Sequence, residues 1–122
     1  MQDPLHLGST TMYDKLCDAS KDDWKSQNLS ALAQSRQEDW FGLWVSEMVR
    51  IAKPGTPVIV ENVAPPYCVK RWDWGGVNRD FWTRAIDTYG WDVDRHSLAF
   101  QDDTAYKFRY HVAMRKKKKE KK

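Results

Sequence analysis

The sequence predicts an α/β domain: a sheet mostly parallel but finished by one antiparallel strand, with two main helices packed on it. Three observations carry this expectation. An amphipathic helical pattern stops at Pro54-Gly55 and leads at once into the β-branched run Val58-Ile59-Val60. A second helical pattern follows from Asn78. Finally, Tyr106, Phe108, Tyr110, Val112 and Met114 alternate strictly with polar or small residues, which is the period of a strand with one face buried.

Taken in order, residues 1–11 contain Pro4, Gly8 and three hydroxyl side chains and read as irregular. Residues 12–20, MYDKLCDAS, read as a short strand, and the polar stretch that follows as loop or weak helix. From Ser35 the pattern sharpens. Ser35-Arg-Gln-Glu38 has the capping-box form, and Trp40, Leu43, Trp44, Met48 and Ile51 recur at steps of three and four, so these five are expected to form the inner face of a helix. Proline restricts the residue before it and glycine tolerates positive φ, so Pro54-Gly55 ends that helix. The unbroken run at 58–60 predicts an interior strand buried on both faces, as in a parallel sheet between helices.

Residues 64–76 are too rich in Pro and Gly for regular structure and form a loop at the carboxyl end of that strand, where open α/β sheets bind ligands. The second helix takes Asn78 as N-cap, Phe81, Trp82, Ala85, Ile86 and Tyr89 as its inner face, and Gly90 as its stop. Gly75-Gly76 ahead of it reads as a turn, with an anion site at the helix N-terminus as the lesser reading. Residues 91–100 and 106–115, joined by QDDTA, read as an antiparallel hairpin. The organisation expected is thus an irregular start (1–11), one domain (12–115) and a disordered basic tail (116–122).

Composition bounds the function. With 41% hydrophobic and 30% charged residues and seven tryptophans in 122 positions, the chain is far from the composition of disorder. The formal charge of +3 comes from the end: residues 115–122 hold seven basic side chains and one acidic, so residues 1–114 carry −3. Any phosphate affinity is then local to the tail. Cys17 and Cys68 are far apart and the three histidines are scattered, so no zinc motif forms from spacing, and both thiols are expected reduced in an intracellular protein. No stretch has the length and apolarity of a membrane span or a signal peptide; the expected location is the cytoplasm, with the nucleus as the alternative because of the lysine run.

The stretch EMVRIAKPGTPVIVEN resembles the segment of class I, Rossmann-like S-adenosylmethionine-dependent methyltransferases in which a helix ending in a Lys-Pro-Gly sequence leads into the fifth strand. MYDKLCDA is similar to that family's fourth strand, with Tyr13 and Asp14 as its aromatic-Asp opening, and the helix from Asn78 and the final hairpin are similar to its last helix and strands six and seven. The resemblance implies a partial sheet with strands corresponding to 4, 5, 7 and 6, the last hairpin antiparallel, and S-adenosylmethionine as cofactor. Family members transfer the cofactor's methyl group to a nucleophilic O, N, S or C atom, chiefly by holding donor and acceptor in line.

By position, the resemblance makes Cys17, Asp18 and Ala19 cofactor-binding candidates, Asp18 and Glu61 candidate acceptors or bases, and Asn62, Tyr67, Trp72 and Trp74 candidates for the acceptor site. The family grips its cofactor with a glycine-rich turn after the first strand, and no two of the six glycines here have the G-x-G spacing. The expectation is therefore the carboxyl-terminal half of a methyltransferase, truncated or split, with a complementary N-terminal half or a homo-oligomer formed through the exposed strand edge as partner. Two other readings stand beside it: a non-catalytic interaction module, and a nucleic-acid-binding protein using Trp72, Trp74 and the lysine tail.

Overall fold

The structure, a computed structural model, describes residues 24–68, 71, 74–106 and 108–119, with the element order α1 (Trp24–Ile51), β1 (Pro57–Val63), α2 (Arg79–Thr88), β2 (Val93–Asp102) and β3 (Tyr110–Lys116). The described residues form a small α/β domain with two helices and a three-stranded sheet in the order β1-β3-β2. Both neighbours pair antiparallel with β3, from Pro57 opposite Arg115 to Val63 opposite Tyr110, and from Val93 opposite Lys116 to Asp102 opposite Tyr110. It follows that β1 and β2 point the same way without touching, α2 connects them, and the hairpin from β2 inserts β3 between them. Among the described residues no two strands pair in parallel. The strand expected at 12–20 lies outside them.

One face of the sheet carries the core. Val58, Val60, Val63, Tyr110, Val112 and Met114 point into it, Phe81, Trp82, Ala85 and Ile86 enter from α2, and Phe41, Val45 and Val49 from α1. Aromatic rings meet edge to face there, Phe41 with Trp82 and Phe81 with Trp82, at centroid separations of 6.1 and 5.3 Å. The helices are tied by polar contacts as well: the Trp91 indole donates to Ser46 Oγ at 2.7 Å and the Tyr89 hydroxyl to Asp39 Oδ1 at 3.1 Å. Gly42 makes that approach possible, since a Cβ there would lie 2.1 Å from the Tyr89 ring.

Several expectations are corrected. Helix α1 starts at Trp24, so Ser35 is an exposed mid-helix residue and its capping box caps nothing. Of the five residues expected inside, only Met48 packs against the core; Trp40, Leu43, Trp44 and Ile51 are exposed. The buried face is Phe41, Val45 and Val49, because α1 carries two apolar stripes and periodicity alone does not say which meets the sheet. Strand β1 is likewise not interior to the described sheet. It is an edge strand that buries Val58 and Val60 and exposes Ile59 by half, the alternation of a sheet with one covered face.

Helix α2 agrees with the expectation for Phe81, Trp82, Ala85 and Ile86, which are buried, whereas Tyr89, the fifth residue expected on that face, is half-buried at the C-cap, and Gly90 follows at φ 64°. Asn78 precedes it in extended geometry, without a side-chain cap bond. The hairpin also forms, displaced: β2 runs on to Asp102, and Tyr106 lies in the turn before β3. Lys116 belongs to β3 rather than to a tail, and the Lys117 amide donates to Asp92 O at 3.0 Å. Cys68, expected as a reduced thiol, is buried and disulfide-bonded; the only other cysteine in the sequence, Cys17, lies outside the described residues. Among the described residues no helix is long and apolar enough to cross a membrane.

Candidate functional site

The carboxyl ends of β1 and β2 and the start of β3 lie at the same end of the sheet, and the polar side chains gather there. The cause in β1 is a bulge: between Val60 and Val63 the strand advances three positions while β3 moves two. Glu61 and Asn62 occupy it. Asn62 has φ 56°, a left-handed conformation that asparagine tolerates better than most residues. With its backbone turned out of the ladder, the Asn62 amide donates to His111 Nδ1 at 3.2 Å, and its carbonyl accepts from Arg109 Nη1 at 3.3 Å.

His111 comes from β3, half-buried, and its Nε2 lies 3.3 Å from Asp103 Oδ2. Because Nδ1 accepts a hydrogen bond, the neutral ring carries its proton on Nε2 and presents it to that carboxylate. Both nitrogens are thus engaged. The imidazole ties the β1 bulge to the turn after β2 and has no free lone pair for proton abstraction. Asp103 is itself fixed by the amides of Tyr106 and Ala105, at 2.9 and 2.7 Å, and these bonds, in that order, with the nearby Arg109 charge, hold its carboxyl below the usual range. Asp102, one residue earlier, pairs with Arg79 from the first turn of α2, whose guanidinium lies over the Tyr110 ring at 4.9 Å.

On the sheet face opposite the helices, these residues border an open groove of about 380 Å³ lined by Ile59, Glu61, Gln101, Asp102, Thr104 and His111. Asp102 and His111 are occupied by their partners. Glu61 is exposed and makes no hydrogen bond or ion pair within the described residues, which leaves it as the carboxylate of the groove available to a ligand. Among the described residues no group of His, Cys, Asp and Glu is arranged to hold a metal ion.

Of the residues singled out from sequence, Glu61 and Asn62 stand at this end of the sheet. Tyr67 is half-buried in the loop after β1, where its carbonyl accepts from Gln34 Nε2 of α1 at 3.0 Å. Trp74 is only 3% exposed, with Phe108 at 5.8 Å on its edge and the Arg71 guanidinium 4.0 Å from its centroid. Cys17, Asp18, Ala19 and Trp72 lie outside the described residues. Sequence reasoning did not find Asp103, Arg109 or His111. The alternation of β3 does put His111 on the face away from Tyr110 and Val112, but its two partners come from 49 positions upstream and from the turn before it.

Two glycines lie against neighbours that leave no room for a side chain. A Cβ at Gly76 would meet the Ala64 carbonyl oxygen at 1.8 Å and one at Gly42 the Tyr89 ring, so both are spent on internal packing. Comparison of the chain with protein-family models, with curated proteins and with solved structures gave no match.

Proposed function

We propose that the chain is the carboxyl-terminal half of a class I S-adenosylmethionine-dependent methyltransferase domain, and that it contributes the acceptor side of a site whose cofactor side is supplied by another segment. One observation carries this reading: the order β1-β3-β2, with an antiparallel strand inserted between two strands of common direction, is the 5-7-6 order that the resemblance implies. The helix, the Lys53-Pro54-Gly55 stop and β1 follow one another as in the fifth-strand segment of that family.

In this reading the cofactor supplies the methyl group, and the described residues do not hold it. Glu61 accepts a hydrogen bond or a proton from the methyl acceptor at the groove, and Asn62, with its backbone held between His111 and Arg109, keeps that carboxylate at a fixed height above the sheet. The exposed apolar stripe of α1 favours a second reading, a non-catalytic interaction module.

Complementation tests the proposal. Calorimetric titration with S-adenosylmethionine should show no saturable heat for the chain alone. A fusion placing the glycine-rich half of a class I methyltransferase ahead of Met12 should bind the cofactor with a single thermal transition for the whole chimera. Tight binding by the isolated chain, or cooperatively folded chimeras that never bind it, would remove the reading.

A further inference from the structure

The stripe that α1 turns away from the core is large and ordered. Leu29, Leu32, Trp40, Leu43, Trp44 and Ile51 are 42–68% exposed, and Trp40 stacks on Trp44 at 5.6 Å with 14° between the ring planes. Their uncovered area sums to roughly 700 Å², at or above the largest apolar patch of an ordinary monomer, ~300–600 Å². It approaches the ~800 Å² that each partner contributes to a stable interface.

The stripe is also self-complementary. Leu32, Arg36, Trp40, Leu43, Glu47 and Ile51 follow at steps of four, four, three, four and four, which reads the same in both directions. A twofold axis between Trp40 and Leu43, with a second α1 laid antiparallel, sets Leu32 against the other copy's Ile51 and Trp40 against its Leu43. The same axis sets Arg36 against its Glu47, twice per pair. Arg36 and Glu47 are both exposed. Arg36 has no ion pair within the described residues, and Glu47 is held only by Arg50 on its own helix. A partner other than a second copy gives no reason for this symmetry of apolarity and charge.

We infer that the chain forms a twofold homodimer through antiparallel packing of this face of α1, independently of the methyl-transfer reading. The contact between Leu32 and Ile51 ends would extend over about 29 Å of helix, with crossings of the kind that short antiparallel helix pairs adopt.

Sedimentation across roughly a hundredfold range of concentration tests it. The unmodified chain should approach twice its monomer mass at the upper end. Leu43→Glu, at a position 68% exposed and so harmless to the fold, should raise the dimer dissociation constant at least tenfold. Arg36→Glu and Glu47→Arg should each weaken self-association, because each sets like charges opposite one another, whereas an equimolar mixture of the two should form a heterodimer with both pairs complementary. Three results overturn the inference: a monomer throughout the range, a dimer that Leu43→Glu leaves unchanged and that therefore uses another surface such as the β1 edge, or a mixture that stays as weakly associated as its components.

Discussion

The indole Nε1 of Trp82 donates to the Tyr110 hydroxyl at 2.8 Å, and that hydroxyl in turn donates to the Val77 carbonyl at 2.5 Å. Three elements of the core, α2, β3 and the loop between β1 and α2, thus meet at one buried oxygen. Burial, its largest influence, pushes the phenol pKa far above the usual tyrosine value, so the hydroxyl stays protonated and the donor to Val77 is never lost at ordinary pH.

Tyr110→Phe removes that oxygen and strands a buried N–H and a buried carbonyl. The expected loss is about 2–4 kcal/mol of unfolding free energy by urea denaturation. Tyr106→Phe, at a position 60% exposed, should stay within about 0.5 kcal/mol and serves as the control.

Gly75 and Gly76 are neighbours with opposite tolerance. A methyl group at Gly76 would press on the Ala64 backbone, which cannot rotate away, whereas at Gly75 the nearest atom is the Gln37 amide at 3.6 Å. Gly76→Ala should cost about 1–3 kcal/mol or more, and Gly75→Ala should be neutral or stabilising by up to about 1 kcal/mol, read as opposite shifts of the denaturation midpoint. The pair also shows that the second glycine serves close packing; an anion site is not needed to account for it.

Asp103 makes the fold sensitive to acid. Its folded-state pKa is depressed, so its contribution is present above the unfolded carboxylate value of about 3.9 and is lost as pH falls through the folded value. Asp103→Asn keeps an oxygen for the Tyr106 and Ala105 amides but does not titrate. Between about pH 5 and pH 2 the unmodified chain should lose stability more steeply than this variant, measured by denaturation at each pH.

Ile59 reports on the outer edge of β1. The Lys116 amide donates to Thr56 O, and from there the ladder alternates, so Val58 and Val60 bond to β3 while the main-chain groups of Ile59 face away from it. The half-domain proposal expects a parallel neighbour along that edge and hence slow hydrogen exchange at the Ile59 amide, comparable with Val60. Exchange at the rate of an unprotected amide would remove that neighbour.

How far the sequence spoke depended on how many arrangements each stretch allowed. Helix α2 was legible because it has one apolar stripe: Phe81, Trp82, Ala85 and Ile86 face in, while Asp80, Arg84 and Asp87 leave no competing face. Helix α1 was not, because Trp40, Leu43 and Ile51 make as good a stripe as Phe41, Val45 and Val49, and only the tertiary partner chooses between them. Three consecutive β-branched residues at 58–60 fit a strand covered on one face or on two.

The long irregularity in β2, which advances five positions from Asp94 to Ala99 while β3 moves two, has a local origin visible only in the structure. The Asp94 carboxylate accepts from the His96 amide, and the Ser97 hydroxyl donates to the Asp94 carbonyl and accepts from the Arg115 amide, replacing ladder bonds by side-chain ones. At the candidate site the same limit holds. Glu61 and Asn62 were found from their place at a strand end, whereas Asp103, Arg109 and His111 acquire their meaning from pairings across the sheet.

The middle position of β3 bears on the order of events during folding. Of the three described strands it is the last in sequence, and among them each of the others pairs only with it. Among the described strands, a nascent chain that has made β1, α2 and β2 has no ladder to close until Tyr110–Lys116 arrives. Interruption of synthesis anywhere before that stretch should leave a species dependent on chaperones, and assembly should be slow for a chain of this size because its decisive contacts span some fifty positions.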